Sequence, residues 1–275
     1  MISVLQNFQK EEKTLKKAFA ILTVLVLVSV MAISATTLEN VIKRGKLIVA
    51  TDLTAIPMQY RDAQGNPTGF VVEMMNLAAQ NLGVELEWRD MAWESLIPSL
   101  TSRKVDMIAA NMSMLLTRAK SIRFSDPYFL TGVKMLVRAD TEVENWEEFK
   151  DPKLKLGETM GSSHADWIEA NWNRDVSLYD NMAEWVTELK NGRIDGVMDD
   201  EMLVLDIVKR EPSLKALPGY IRVDMYGLAF NQGTDDDSIV DWFNLFLKWI
   251  KLTGEYGEIY ENYVGAEWQP SWVID

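Results

Sequence analysis

Two hydrophobic periodicities alternate along the chain, and this constrains its fold more than any other feature. Short apolar or β-branched runs, "KLIVAT" (46–51), "VELEW" (84–88) and "VDMIAA" (105–110), are separated by stretches with helical spacing. Phe70, Met74, Leu77 and Ala78 fall on one helix face, and Gly83 follows as a stop signal. "WESLIPSLTSR" supplies the next helix in spite of Pro98. Strand, helix, strand, helix, strand predicts a parallel sheet covered by helices.

The pattern then restarts. "VKMLVRA" (133–139), "LKLGET" (154–159) and "IDGVMD" (194–199) read as strands, with "SSHADWIEANW" and "MAEWVTELKNG" as the helices among them. A second α/β unit is therefore expected to begin near residue 134. Ile239, Trp242, Phe243, Phe246, Leu247 and Ile250 form an amphipathic stripe that needs a core to cover. No Ser/Gly-rich linker or solenoid repeat separates the units, so short extended segments join them as a hinged pair.

Before this pattern, "KTLKK" precedes an apolar run over residues 18–35 that ends in small residues. That reads as a secretory signal peptide over residues 1–35, with a retained membrane anchor as the alternative. Without it, four Lys and two Glu are lost and the formal charge moves from −13 to −15. Such a charge argues against nucleic acid as a partner. The chain has no Cys, which excludes disulfides, thiolate metal sites, cysteine nucleophiles and a lipid-modified cysteine. His164 is the only histidine, so no multi-histidine metal site or independent catalytic triad is expected. Phosphate-cradle, dinucleotide and nucleophile-elbow motifs are absent. Neither cofactor nor metal nor catalytic residue is assigned.

Four places at strand ends hold groups suited to a small charged solute. Asp52 follows the first strand, and Asn111, Ser113 and Arg118 follow the third. Arg118 suits either a strand-end pocket or an exposed helix surface. "MGSSHADW" places Gly161, Ser162 and Ser163 at a helix start, where free amides receive an anion or a serine simply caps. Asp199, Asp200 and Glu201 follow "IDGVM", where an aspartate either caps a helix or meets a ligand cation. Together the sites offer donors for an anion and carboxylates for a cation, and an α-amino acid is the simplest molecule with both. A guanidinium binds a carboxylate through two parallel hydrogen bonds, and Asp accepts charge-assisted bonds from an ammonium.

At these residues the chain resembles the family 3 extracellular solute-binding proteins, the polar amino-acid receptors of ABC importers. "LENVIKRGKLIVATD", "GNPTGFVVEMMNLAAQNLG", "WESLIPSLTSRKVDMIAANMSMLLTRAKSIRFSDPYF", "GSS", "ELKNGRIDGVMDDE" and "KLTGEYGEIYENYVG" fit in order. The resemblance implies an α/β, two-lobed type II periplasmic-binding-protein fold with two hinge strands and the ligand in the cleft. One lobe is expected over 36–130 plus 228–275 and the other over 131–227, with hinge strands near 130–134 and 222–227.

By the same resemblance, Arg118 holds the ligand α-carboxylate with help from Ser113 and Ser163, and Asp200 holds the α-ammonium. Trp93 stands where relatives place an aromatic wall, though a core role is the alternative. Asp52 stands where binders of cationic amino acids place a side-chain carboxylate. Ala55, Ala110, Asn111 and Leu115–Leu116 depart from the family pattern and bear on side-chain preference. Met58, Met112 and Met160 either widen the pocket or pack in the core. The implied partners are an amino acid or analogue and the membrane subunits of an ABC permease, and the implied location is the periplasm, as a monomer. The competing function on this fold is cyclohexadienyl (prephenate or arogenate) dehydratase, which needs only one well-placed acid.

Overall fold

The computed structural model describes residues 38–232 and 237–268, so the apolar segment read as a signal peptide lies outside the described residues. Helix α1 (Leu38–Arg44) leads into β1 (Lys46–Thr51), and β2 (Thr54–Ala55), β3 (Gln59–Arg61) and β4 (Pro67–Thr68) form a small meander. Helix α2 (Phe70–Leu82) buries Phe70, Val71, Met74, Met75 and Ala78, and Gly83 ends it in the left-handed conformation. Strand β5 (Glu85–Asp90), a 3-10 turn (Trp93–Ser95), α3 (Leu96–Thr101) and β6 (Met107–Ile108) follow. A second 3-10 turn (Arg118–Lys120) precedes β7 (Ile122–Phe124). The third strand is shorter than its sequence pattern: Val105, Asp106, Ala109 and Ala110 fall outside it, although the Ala109 amide still donates to the Ala50 carbonyl at 3.1 Å.

The second half starts with the long β8 (Phe129–Arg138). It continues through β9 (Leu156–Thr159), α4 (Ser163–Trp172), β10 (Ser177–Tyr179), α5 (Met182–Lys190), β11 (Gly196–Asp200), α6 (Glu201–Arg210), β12 (Leu214–Ala216) and β13 (Arg222–Tyr226). The chain then returns to the first sheet through β14 (Ala229–Asn231) and closes with α7 (Ser238–Thr253) and α8 (Glu255–Val264).

The first sheet has the order β5-β1-β6-β14-β7, with β1 parallel to β5 and β6 and β14 antiparallel to its neighbours. The second has the order β10-β9-β11-β8-β12, with β13 also on β8. Within it β9, β10 and β11 run parallel, and β8 is antiparallel to β11, β12 and β13. In each sheet one interior strand, β14 in the first and β8 in the second, runs against all its neighbours, and the others share one direction.

Helix α7 follows the sequence pattern closely: Ile239, Phe243, Phe246, Leu247 and Ile250 are buried against α1, α8 and the first sheet. Trp242 is only partly buried and stacks on Phe246 at 5.4 Å. Each fully buried side chain of this size contributes about 2 kcal/mol, so the stripe alone holds the helix in place. Met58 and Met112 are likewise core residues with no free surface. Among the described residues, no helix is long and apolar enough to cross a membrane.

Candidate functional site

The carboxyl ends of the strands converge on one cavity of about 60 Å³. Its wall includes Asp52 after β1, Trp93 from the turn before α3, and Asn111 and Ser113 after β6. Ser162 and Ser163 come from the β9–α4 corner and Asp200 from the end of β11. Thr54, Ala55, Glu158, Thr159, His164, Asn181, Met182, Asp199 and Leu203 complete it. The eighth residue expected at the site, Arg118, is not part of this wall.

Arg118 lies just behind it, 8% exposed. Its Nη1 donates to the carbonyl of Ser113 at 3.2 Å and its Nη2 to the carbonyl of Gly161 at 3.2 Å. The indole Nε1 of Trp93 donates to that same Gly161 carbonyl at 3.1 Å, and the guanidinium sits 5.9 Å from the centre of the Trp93 ring. Gly161 has φ +74, a left-handed conformation that suits glycine. Burial pulls the pKa of Arg118 below its ordinary value, against Asp166, Asp224 and Asp200. An exposed helix position is ruled out. The turn carries Lys120 as well as Arg118, so it holds two cations.

Ser113 Oγ and Ser163 Oγ are 3.0 Å apart, so the β6 loop and the α4 start also meet directly. Ser162 is the N-cap of α4 and its hydroxyl accepts from the Ala165 amide at 3.1 Å. Capping therefore already occupies the Ser162 oxygen. Asp200 behaves oppositely. It is the N-cap of α6 yet makes no side-chain cap bond, and it is 2% exposed. Its Oδ1 is buried and finds no hydrogen-bond partner among the described residues. A buried carboxylate oxygen left unsatisfied is costly, which makes it a strong acceptor for an incoming donor.

Asp52 is held by residues close to it in sequence. Thr54 Oγ1 donates to Oδ2 at 2.8 Å and Gln59 Nε2 to Oδ1 at 3.1 Å. Gln59 Nε2 also donates to Asn111 Oδ1 at 2.6 Å, tying both predicted residues into one network. Burial raises the pKa of Asp52, and the bonds from Thr54 and Gln59 oppose that shift.

Further charged side chains that the sequence pattern does not single out stand here, and His164 and Glu158 are on the cavity wall itself. His164 Nε2 stands 3.5 Å from Asp199 Oδ1 and 3.7 Å from Asp200 Oδ2. Its Nδ1 is 3.1 Å from Arg222 Nη2, which also donates to Ser163 Oγ at 3.2 Å and pairs with Asp224 at 3.0 Å. Burial opposes the charged imidazole, but Asp199 and Asp200 outweigh it and push its pKa up to about 10. Glu158 accepts from the Met198 amide at 2.9 Å, and burial pushes its pKa up to about 8 against the charge of His164. The one available signal was a lone histidine two residues after Ser162, in a chain with no other.

His164, Asp199 and Asp200 form the one cluster of potential metal ligands among the described residues, with ligand atoms within 4.8 Å. The geometry does not suit a metal. Nε2 carries a proton both in the imidazolium and in the neutral ring whose Nδ1 accepts from Arg222, and a metal would have to displace that proton.

Residues 47–266 match the family described as bacterial extracellular solute-binding proteins, family 3. The L-cystine-binding protein TcyJ of Escherichia coli (strain K12) is 28% identical over 235 residues, covering 84% of this chain and 86% of that protein. ABC transporter arginine-binding protein 1 of the same strain is 27% identical over 223 residues, covering 79% and 90%. A crystal structure of a mutant ArgBP from T. maritima is similar with a TM-score of 0.78 at 28% identity, covering 83% of this chain and 99% of that one. The ancestral amino acid-binding protein AncCDT-1, described as a precursor of cyclohexadienyl dehydratase, gives a TM-score of 0.77 at 28% identity, covering 82% and 98%. The relatives are binding proteins rather than enzymes, and the two sheets with their covering helices are the two lobes of the type II periplasmic-binding-protein fold. The chain belongs to the bacterial extracellular solute-binding proteins, family 3.

Proposed function

We propose that this protein captures an amino acid or close analogue by its α-carboxylate and α-ammonium and delivers it to the membrane subunits of an ABC permease. The observation that carries the reading is the unpartnered, buried Oδ1 of Asp200 on the wall of a cavity whose opposite side holds Ser113, with Arg118 behind it. The guanidinium has five N–H donors and spends one each on the carbonyls of Ser113 and Gly161. The rest remain for a ligand carboxylate, with the hydroxyls of Ser113 and Ser163 beside it. Asp200 takes the ammonium, and Trp93, Asn111 and Asp52 face the side chain.

The lobes are assigned to 36–130 plus 228–275 and to 131–227. The long β8 and its partner β13 lie where the chain crosses between them, and closure is a hinge motion driven by ligand contacts to both walls. Residues 1–35 carry the basic flank and apolar run of a signal peptide, which supports a periplasmic location.

A thermal-shift screen over the common L-amino acids and L-cystine tests the function, since a ligand that binds only the folded form raises its melting temperature. A shift with one or more amino acids is expected. No shift with any of them, followed by no heat of binding in calorimetry, overturns the reading.

A further inference from the structure

Asp200 raises a question that ligand contact alone does not answer: why does an aspartate at a helix N-cap leave its own helix uncapped? An N-cap Asp ordinarily accepts from the second or third amide of the helix. Here Oδ2 faces His164 Nε2 at 3.7 Å, while Oδ1 stays buried and unpartnered. His164 is itself 6% exposed and fixed from behind. Arg222 Nη2 reaches its Nδ1 at 3.1 Å, and Arg222 is in turn bound to Asp224 and to Ser163 Oγ. A guanidinium only donates. In the neutral ring Nδ1 accepts from Arg222 and the proton sits on Nε2, and in the imidazolium both nitrogens carry protons, so in either form an Nε2 proton points at Asp199 and Asp200.

We propose that His164 is a positioning residue for Asp200: it turns one carboxylate oxygen away from the α6 amides, so that the other is free to select ligands carrying a primary α-ammonium. The inference rests on the amino-acid reading of the site and names a residue that this reading does not use. It also accounts for the charge balance around the ammonium position. Arg222 and Asp224 offset one another across β13. The imidazole separates Asp199 from Asp200, so two acids do not face each other unpaired. The other groups facing this corner are Glu158 on β9 and Tyr226 on β13. Tyr226 has a buried hydroxyl facing Asp200, and burial, the charge of Asp200 and the side-chain interaction with that carboxylate hold its pKa well above its ordinary value.

The test compares each L-amino acid that binds the wild-type protein with its 2-deamino acid, the same molecule lacking the amino group. Calorimetry on wild type, His164→Leu and His164→Gln gives the preference for the ammonium. His164→Leu should shrink that preference at least tenfold while leaving affinity for the 2-deamino acid within about threefold. His164→Gln, which keeps an N–H able to face the acids, should restore most of it. Equal losses for both ligands in His164→Leu, or no loss for either, overturn the proposal.

A second measurement does not depend on the variants folding. His164 is the only histidine, so its imidazole nitrogen signals in 15N NMR are unambiguous. The expected result is a protonated Nε2 at every pH from 6 to 9, with a shift on adding a binding amino acid and none on adding its 2-deamino acid. A tautomer protonated on Nδ1 alone sinks the proposal. Failure of every amino acid to bind wild type is a different outcome, and it overturns the function of the site as well.

Discussion

Arg118 Nη2 donates to the carbonyl oxygen of Gly161 at 3.2 Å, and this bond ties the segment after β6 to the turn that opens α4. The cation expected to hold a ligand carboxylate is thus also a clasp between the two walls of the cleft. Trp93 shares the same carbonyl, so the clasp has two donors and one acceptor.

Replacing Arg118 by alanine removes both the clasp and the charged partner of the carboxylate. Amino-acid affinity should fall by about 2–5 kcal/mol, as for other hydrogen-bonded buried charges. Arg118→Lys should recover only part of it, because a point charge lacks the planar fork. Calorimetry with an amino acid that shifts the wild-type melting temperature decides this. Unchanged affinity in Arg118→Ala would place the carboxylate elsewhere.

Trp93→Phe isolates the second donor. It keeps a ring against the guanidinium but loses the indole N–H to Gly161. The expected loss is about 1 kcal/mol of closure, a several-fold drop in affinity, with an unchanged melting temperature in the absence of ligand. A larger radius of gyration by small-angle scattering at subsaturating ligand would accompany it. A Trp93→Phe protein that unfolds more readily would instead assign the indole to core packing.

The buried ionisable pair fixes the direction of a pH response. Glu158 is pushed from 4.5 to about 8, so the fold favours its neutral form, and that contribution is lost as pH rises from 4.5 to 8. His164 is pushed from 6.5 to about 10, so its contribution is complete below 6.5 and is lost as pH rises toward 10. Both act in one direction. The melting temperature should fall as pH is raised from about 5 to 10, and Glu158→Gln should remove the part of the fall below about 6.5. A melting temperature that rises through this window would contradict the assignment.

Two glycines separate backbone strain from crowding. Gly161→Ala would place a Cβ in ordinary contact, 3.5 Å from Glu94, so its cost is the positive φ, about 1 kcal/mol. Gly196→Ala on β11 would place a Cβ 2.5 Å from the buried Phe149 ring and 3.0 Å from Met135 Sδ. Overpacking of this kind costs about 1–3 kcal/mol. Denaturant titration should rank Gly196→Ala as the more destabilising, while Gly161→Ala should show the larger loss of ligand affinity for its stability change.

Local pattern determined a great deal. The period-two runs of β1 and β5, the helical stripe of α7 and the Gly83 stop each depend on neighbouring residues alone, and they appear where the pattern places them. The type II fold and its family followed from motifs in a fixed order. Seven of the eight residues expected at the site line one cavity, because strand ends in such sheets converge on the same edge.

What the sequence could not decide depends on groups distant along the chain. Ser162 and Asp200 both offered a cap or a ligand contact, and only the fold separated them: Ser162 caps its helix and Asp200 does not. His164 looked idle until β11 brought Asp199 and Asp200 to one ring nitrogen and β13 brought Arg222 to the other. Arg118 was legible as a cation near the cleft, but its bond to Gly161 spans 43 residues. Propensity and periodicity are read from adjacent residues. Electrostatics and hydrogen bonding are set by distances of a few ångströms between side chains, and only tertiary packing sets those distances.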